Sequence, residues 1–129
     1  MNWKKYPNFK AEEFRCKHTG KDGMSASFLE RLQKLRTAYG KPINITSGYR
    51  HHTHPVEAKK PAGTKGAHTT GRAVDIAISG HDAHELLTLA MDHGFSGIGI
   101  RQHGGSRFIH LDDLEGAIGQ PRPWVWTYP

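Results

Sequence analysis

Three separated donors define the chemistry open to this chain. His68 and Asp75 stand in the run Gly66-Ala67-His68-Thr69-Thr70-Gly71-Arg72-Ala73-Val74-Asp75-Ile76, and His110 follows in Phe108-Ile109-His110-Leu111-Asp112. Two imidazoles and a carboxylate suit a hydrolytic zinc ion that keeps one coordination position for water.

The elements that must carry these donors are legible as periodicities. Residues 73–78 alternate as a strand, with Val74, Ile76 and Ile78 on one face and Ala73, Asp75 and Ala77 on the other. The two alanines leave room for an ion beside the carboxylate, and Thr69-Thr70-Gly71 is a turn able to bring His68 back to the strand. On a second short strand Phe108, His110 and Asp112 share one face, opposite Ile109 and Leu111, so each strand is expected to keep one wet face. Upstream, Ser27 and Glu30 make a capping-box pattern, and Phe28, Leu32, Leu35 and Tyr39 form the stripe of a first helix stopped by Gly40 and Pro42. Phe9 and Phe14 are expected to pack against it. Ile43 to Ser47 alternates as a strand that runs into Gly48-Tyr49-Arg50. A second helix is expected from about Asp82 to His93, with an Asp82–Glu85 box, an apolar stripe of Leu86, Leu87, Ala90 and Met91, and Gly94 as terminator. Gly97–Ile100 and Arg107–Leu111 read as a hairpin closed by Gly104-Gly105. Helices segregated from antiparallel strands predict an α+β fold: one small domain over residues 1–129, with an antiparallel sheet and helices on one side.

Composition narrows the partners. The chain has 129 residues, enough for one core, and its single Cys16 excludes an internal disulfide and any cysteine-based zinc site. Cys16 reads as a structural or inert thiol. No apolar run is long enough to span a membrane, and the first residues lack the apolar core of a signal peptide, so synthesis in a cytoplasm is expected. Lys and Arg outnumber Asp and Glu by 18 to 12, a net charge of +6 that favours polyanions. The basic residues are scattered apart from Lys59, Lys60, Lys65 and Arg72, without the interleaved aromatics of a single-strand binding platform, so no specific nucleic acid is expected. The charge reads equally as a solvated surface or as attraction to a negatively charged matrix.

Between Arg50 and His68, residues 51–65 show neither helical nor strand periodicity, and a loop of that length in a small domain is more often a lid or binding loop than a neutral connector. Its His51, His52 and His54 are read as exposed rather than as ligands. His81, His84 and His93, on or beside the second helix, are read as surface residues. The aromatic tail, Pro121 to Pro129, is expected to dock on the core and close the fold, with a substrate groove as the other use.

Taken in order, Ser47-Gly48-Tyr49-Arg50, the run from Gly66 to Ile76 and Phe108-Ile109-His110-Leu111-Asp112 resemble the zinc D-alanyl-D-alanine carboxypeptidases of peptidoglycan. That family includes murein endopeptidases and bacteriophage endolysins and shares its core with hedgehog-type domains and lysostaphin-type enzymes. The resemblance covers most of the chain. It implies His68, Asp75 and His110 as ligands of one Zn2+ ion, and Arg50 as the cation that meets a substrate carboxylate or a developing oxyanion. Many relatives carry a glutamate three residues before the last histidine ligand, where this chain has Arg107. Other branches use an upstream histidine, which makes His103 the candidate general base and acid. Asp112, on the strand face of His110, is expected to orient that ligand imidazole.

The resemblance therefore implies a zinc metallopeptidase acting on stem peptides or crosslinks of the bacterial cell wall, as an endolysin-like endopeptidase or a D,D-carboxypeptidase. A monomer made without a signal peptide, with a holin-type partner if phage-encoded, completes that reading. The alternative is a noncatalytic metal-binding module of the same fold, serving as a cell-wall binder or a virion structural part. Arg107 at the glutamate position is the feature that supports it.

Overall fold

The apolar halves of the alternating strands find a common partner in two amphipathic helices. In the computed structural model, which describes residues 1–60, 66–117 and 119–129, the order is α1 (Ala26–Tyr39), β1 (Asn44–Ser47), α2 (Pro55–Ala58), β2 (Ala73–Ala77), α3 (Gly80–Asp92), β3 (Gly97–Arg101), β4 (Phe108–Asp112) and β5 (Trp124–Thr127). Single 3-10 turns lie at Trp3–Lys5, Ala11–Glu13 and Ala67–Thr70. The five strands form one sheet in the order β1-β2-β4-β3-β5. All neighbours are antiparallel except β3 and β5, which run parallel. The fold is α+β, with a mostly antiparallel sheet.

Val74, Ile76, Ile98, Ile109 and Leu111 join Phe28, Leu32 and Leu35 of α1 and Ala83, Leu86 and Ala90 of α3 in one buried core. Phe9 and Phe14 are part of the same core, their rings packed edge to face at 5.5 Å. Burying these side chains removes roughly 1.5–3 kcal/mol worth of apolar surface each from water, which fixes which sheet face turns away from solvent. The period of two in each strand then forces Asp75, His110 and Asp112 onto the opposite face.

Both helices start earlier than their capping boxes predict. Ser25, not Ser27, stands at the N-cap of α1, and Arg72 Nη1 donates to the hydroxyls of both, at 2.6 and 2.9 Å. At α3 the N-cap is Ser79, and Asp82 accepts from Lys41 Nζ at 2.8 Å. Ser27, Asp82 and Glu85 of those boxes make tertiary contacts instead, Ser27 with Arg72 and the two acids with Lys41. Gly40 ends α1 as expected, in the left-handed conformation at φ 76°.

The stretch between Arg50 and His68 is not featureless. His54 caps the single turn of α2, its Nδ1 accepting from the Val56 amide at 3.1 Å, with Pro55 at the first helical position. Four residues are too few for a period to register. The lid expectation for this loop falls partly on residues 61–65, which lie outside the described residues, as does Lys65 of the basic group. Arg72 of that group, its side chain 31% exposed, forks onto Asp113 at 2.8 and 2.7 Å, so its charge is paired locally.

Candidate metal centre

His68 reaches the sheet through local backbone chemistry. The 3-10 turn Ala67–Thr70 ends at Gly71, whose φ of 75° and contact with the Gly23 carbonyl admit no side chain. The Arg50 amide donates to the His68 carbonyl at 3.1 Å, and the imidazole turns over Asp75. Cross-strand pairing supplies the third donor, because Asp75 and His110 are direct partners between β2 and β4. His68, Asp75 and His110 bring one donor atom each within 4.8 Å of one another.

Each imidazole has one nitrogen tied back and the other aimed at the shared carboxylate. His68 Nδ1 lies 2.7 Å from the Gly48 carbonyl and can only donate there, which leaves Nε2, 3.2 Å from Asp75 Oδ1, with its lone pair. His110 Nε2 lies 2.7 Å from Asp112 Oδ2, and its Nδ1 is 3.1 Å from Asp75 Oδ1. Carboxylate and carbonyl partners on the far side of ligand histidines are the usual means of fixing tautomer and ring orientation at a metal. The donor set and its supports fit a zinc ion.

Electrostatics keeps the acids ionised. Burial alone would raise Asp75, but the two imidazoles beside it, His110 at 3.1 Å and His68 at 3.2 Å, outweigh it and hold the carboxyl far below its ordinary range. Burial opposes ionisation of Asp112 too, yet Arg122 and His110 bring it down to about 2. His110 moves the other way: burial lowers it, while Asp112 and Asp75 raise it, and the balance is upward.

The donors open into a cleft of about 520 Å3. Its walls include Arg50, Glu57, Lys60, Phe108, Trp126 and Tyr128. Arg50 spans the floor, its guanidinium 3.6 Å from Asp75 and 3.5 Å from Glu57. Glu57 is fully buried and accepts from the Gly66 amide at 2.7 Å and from Lys60 at 3.2 Å. Burial works against its charge, but these partners prevail and its carboxyl is shifted downward.

The structure thus brings Arg50, His68, Asp75, His110 and Asp112 together. His103 is not with them. It lies exposed in the β3–β4 turn, with Nε2 3.3 Å from the Tyr128 carbonyl, and does not line the cleft. The expected wet face of β4 is also closed: His110 is 3% and Asp112 0% exposed. The tail covers them. Its strand β5 joins the sheet edge as expected of a docking segment, and the same strand turns Trp126 onto His110 at 5.1 Å and lines the cleft. Room for that cover comes from Gly97 and Gly99, since a Cβ at the first would strike the Asp112 carboxylate and one at the second would lie 2.6 Å from Trp126 Nε1. The repeat Gly-Ile-Gly-Ile carried this signal, one face of β3 apolar and the other bare. The sequence carries little signal for Glu57 and Arg122. Only Pro55 hinted at the first, and nothing local marked the second.

Comparison with known proteins agrees with the geometry. No curated protein matches the chain. The family model described as Peptidase M15 matches residues 7–112, which takes in every donor and Arg50 but stops short of the tail. The chain belongs to the Peptidase M15 family, the zinc peptidases related to D-Ala-D-Ala carboxypeptidases.

Proposed function

We propose that this chain hydrolyses an amide bond in peptidoglycan stem peptides or crosslinks, with one zinc ion held by His68 Nε2, Asp75 and His110 Nδ1. The observation that carries the reading is the pair of fixed tautomers, each imidazole tied back at 2.7 Å and presenting its free nitrogen beside Asp75. When bound, zinc lowers the pKa of water towards about 7 and polarises a scissile carbonyl.

The remaining roles belong to the protein. Arg50, with its side chain 22% exposed, offers a planar fork to a substrate carboxylate or to the oxyanion. Phe108, Trp126 and Tyr128 provide an apolar wall that keeps water from the reacting amide. The net charge of +6 supports attraction to an acidic wall polymer. A proton must also pass to the leaving amine. Glu57, a cleft carboxylate outside the ligand set and kept ionised by its partners, is the better placed acceptor, and His103 is the competing one.

Purified protein should hold about one zinc per chain, and His68→Ala and Asp75→Ala should lose both metal and release of amines from purified murein. Lysis by a metal-free His68→Ala protein would end the reading. Murein binding without amine release would favour a noncatalytic module instead. Glu57→Gln should keep zinc and lose about 10²–10⁴ in turnover, with His103→Ala close to wild type; the reverse would return the role to His103. The fuller reading is an endolysin-like monomer that reaches the wall with a holin-type partner. Lysis of permeabilised cells but not of intact ones is its expected signature, and mass spectrometry of the fragments tells endopeptidase from carboxypeptidase.

A further inference from the structure

The geometry points to Arg122 as a positioning residue for the metal centre, which acts through Asp112 on His110 and so couples the tail to metal binding. This rests on the zinc reading of the cleft. Arg122 lies beyond the family-matched residues 7–112 and reaches no donor itself. It forks onto Asp112, with Nε 2.8 Å from Oδ1 and Nη2 2.8 Å from Oδ2. The second of these oxygens is also the one 2.7 Å from His110 Nε2.

Such a fork fixes the plane of a carboxylate as well as its charge. With both oxygens held, Asp112 has one orientation in which to receive the His110 proton, and the imidazole is set with Nδ1 towards Asp75. Every member is enclosed, the Arg122 side chain being 6% exposed and that of Asp112 0%. Packing closes the remaining freedom. The guanidinium stacks on the Trp126 ring at 5.0 Å, and that ring rests on His110. Its third nitrogen donates to the Pro121 carbonyl at 2.7 Å, so the chain entering β5 is bound to the same group. Gly97 keeps the space in which Asp112 sits. A tail that supplies no ligand thereby sets the angle of one.

The experiment is zinc titration of the whole chain against a chromophoric chelator, with thermal melting of the metal-free proteins alongside. Arg122→Ala should weaken zinc binding by about 10- to 100-fold, the range typical of supports behind ligand histidines. Arg122→Lys, which keeps the charge without the fork, should recover only part of that loss. A merely structural arginine would lower the metal-free melting temperature and leave affinity within about 3-fold, and that result overturns the inference. If Arg122→Ala does not fold, hydrogen exchange on the wild type decides. Zinc should slow the Trp124 and Tyr128 amides, which bond the Ser96 and Ile100 carbonyls, more than the amides of α1. No extra slowing in the tail overturns it equally. Failure of the wild type to bind zinc would instead remove the zinc reading itself.

Discussion

His110 and Asp112 show how neighbouring groups on one strand answer to pH in opposite directions. The folded Asp112 carboxyl is depressed from 3.8 to about 2, so its contribution is full above the unfolded value and is lost as pH falls through the folded one. That difference corresponds to about 2 kcal/mol for this buried group. Stability of the metal-free protein, followed by urea unfolding, should therefore fall between about pH 4 and pH 2, and Asp112→Asn should flatten that limb. His110 is raised above 6.5 in the absence of metal, so it stabilises the fold below that value and the effect fades as pH rises through its folded pKa. Zinc held as proposed would need the same Nδ1 unprotonated, so protons and metal would compete there.

At the scale of elements, β3 matters for what it lacks. Ile98 and Ile100 serve the core side, whereas Gly97 and Gly99 leave the other face bare for Asp112, Trp126 and Tyr128. Gly97→Ala would push a methyl into a fully buried carboxylate. Overpacking of this kind costs about 1–3 kcal/mol, so the melting temperature should drop by several degrees, measured by calorimetry. An unchanged melting temperature would mean that Asp112 has room to move. Strand periodicity made the faces of Asp75 and His110 legible in the sequence, because burial of the isoleucines on one side dictates the other. It also made the β3–β4 hairpin legible through its glycines. The one-turn α2 left no such trace, and Glu57 on it was invisible for that reason. Arg122 was hidden differently: its contact with Asp112 depends on how the irregular segment after β4 returns, and no local pattern encodes that path. His103 is suggested only by the resemblance to branches with an upstream histidine; it is exposed in the β3–β4 turn, its Nε2 3.3 Å from the carbonyl of Tyr128, and is not itself among the cleft-lining residues.

Over the whole molecule, the sheet divides labour between two faces. Helices α1 and α3 cover one with apolar side chains, and the donors, the cations and the aromatic tail occupy the other. The order of the three motifs in the chain is the order in which the β1 end, the turn before β2, and β4 reach a single point. Among the described residues no helix is long and apolar enough to cross a membrane. No buried side-chain polar atom among them lacks a hydrogen-bond partner, which is what a cleft built from ionised groups requires. The ring of Trp126, 5.1 Å from His110 and stacked with Arg122, gives this arrangement an optical consequence. An indole held against the His110 imidazole senses whether that imidazole carries a proton or, with zinc bound as proposed, a metal. Zinc addition should change tryptophan emission in the wild type and leave Trp126→Phe nearly unchanged, although Trp3 and Trp124 remain. The protein would then carry its own gauge of metal occupancy, readable without label or substrate.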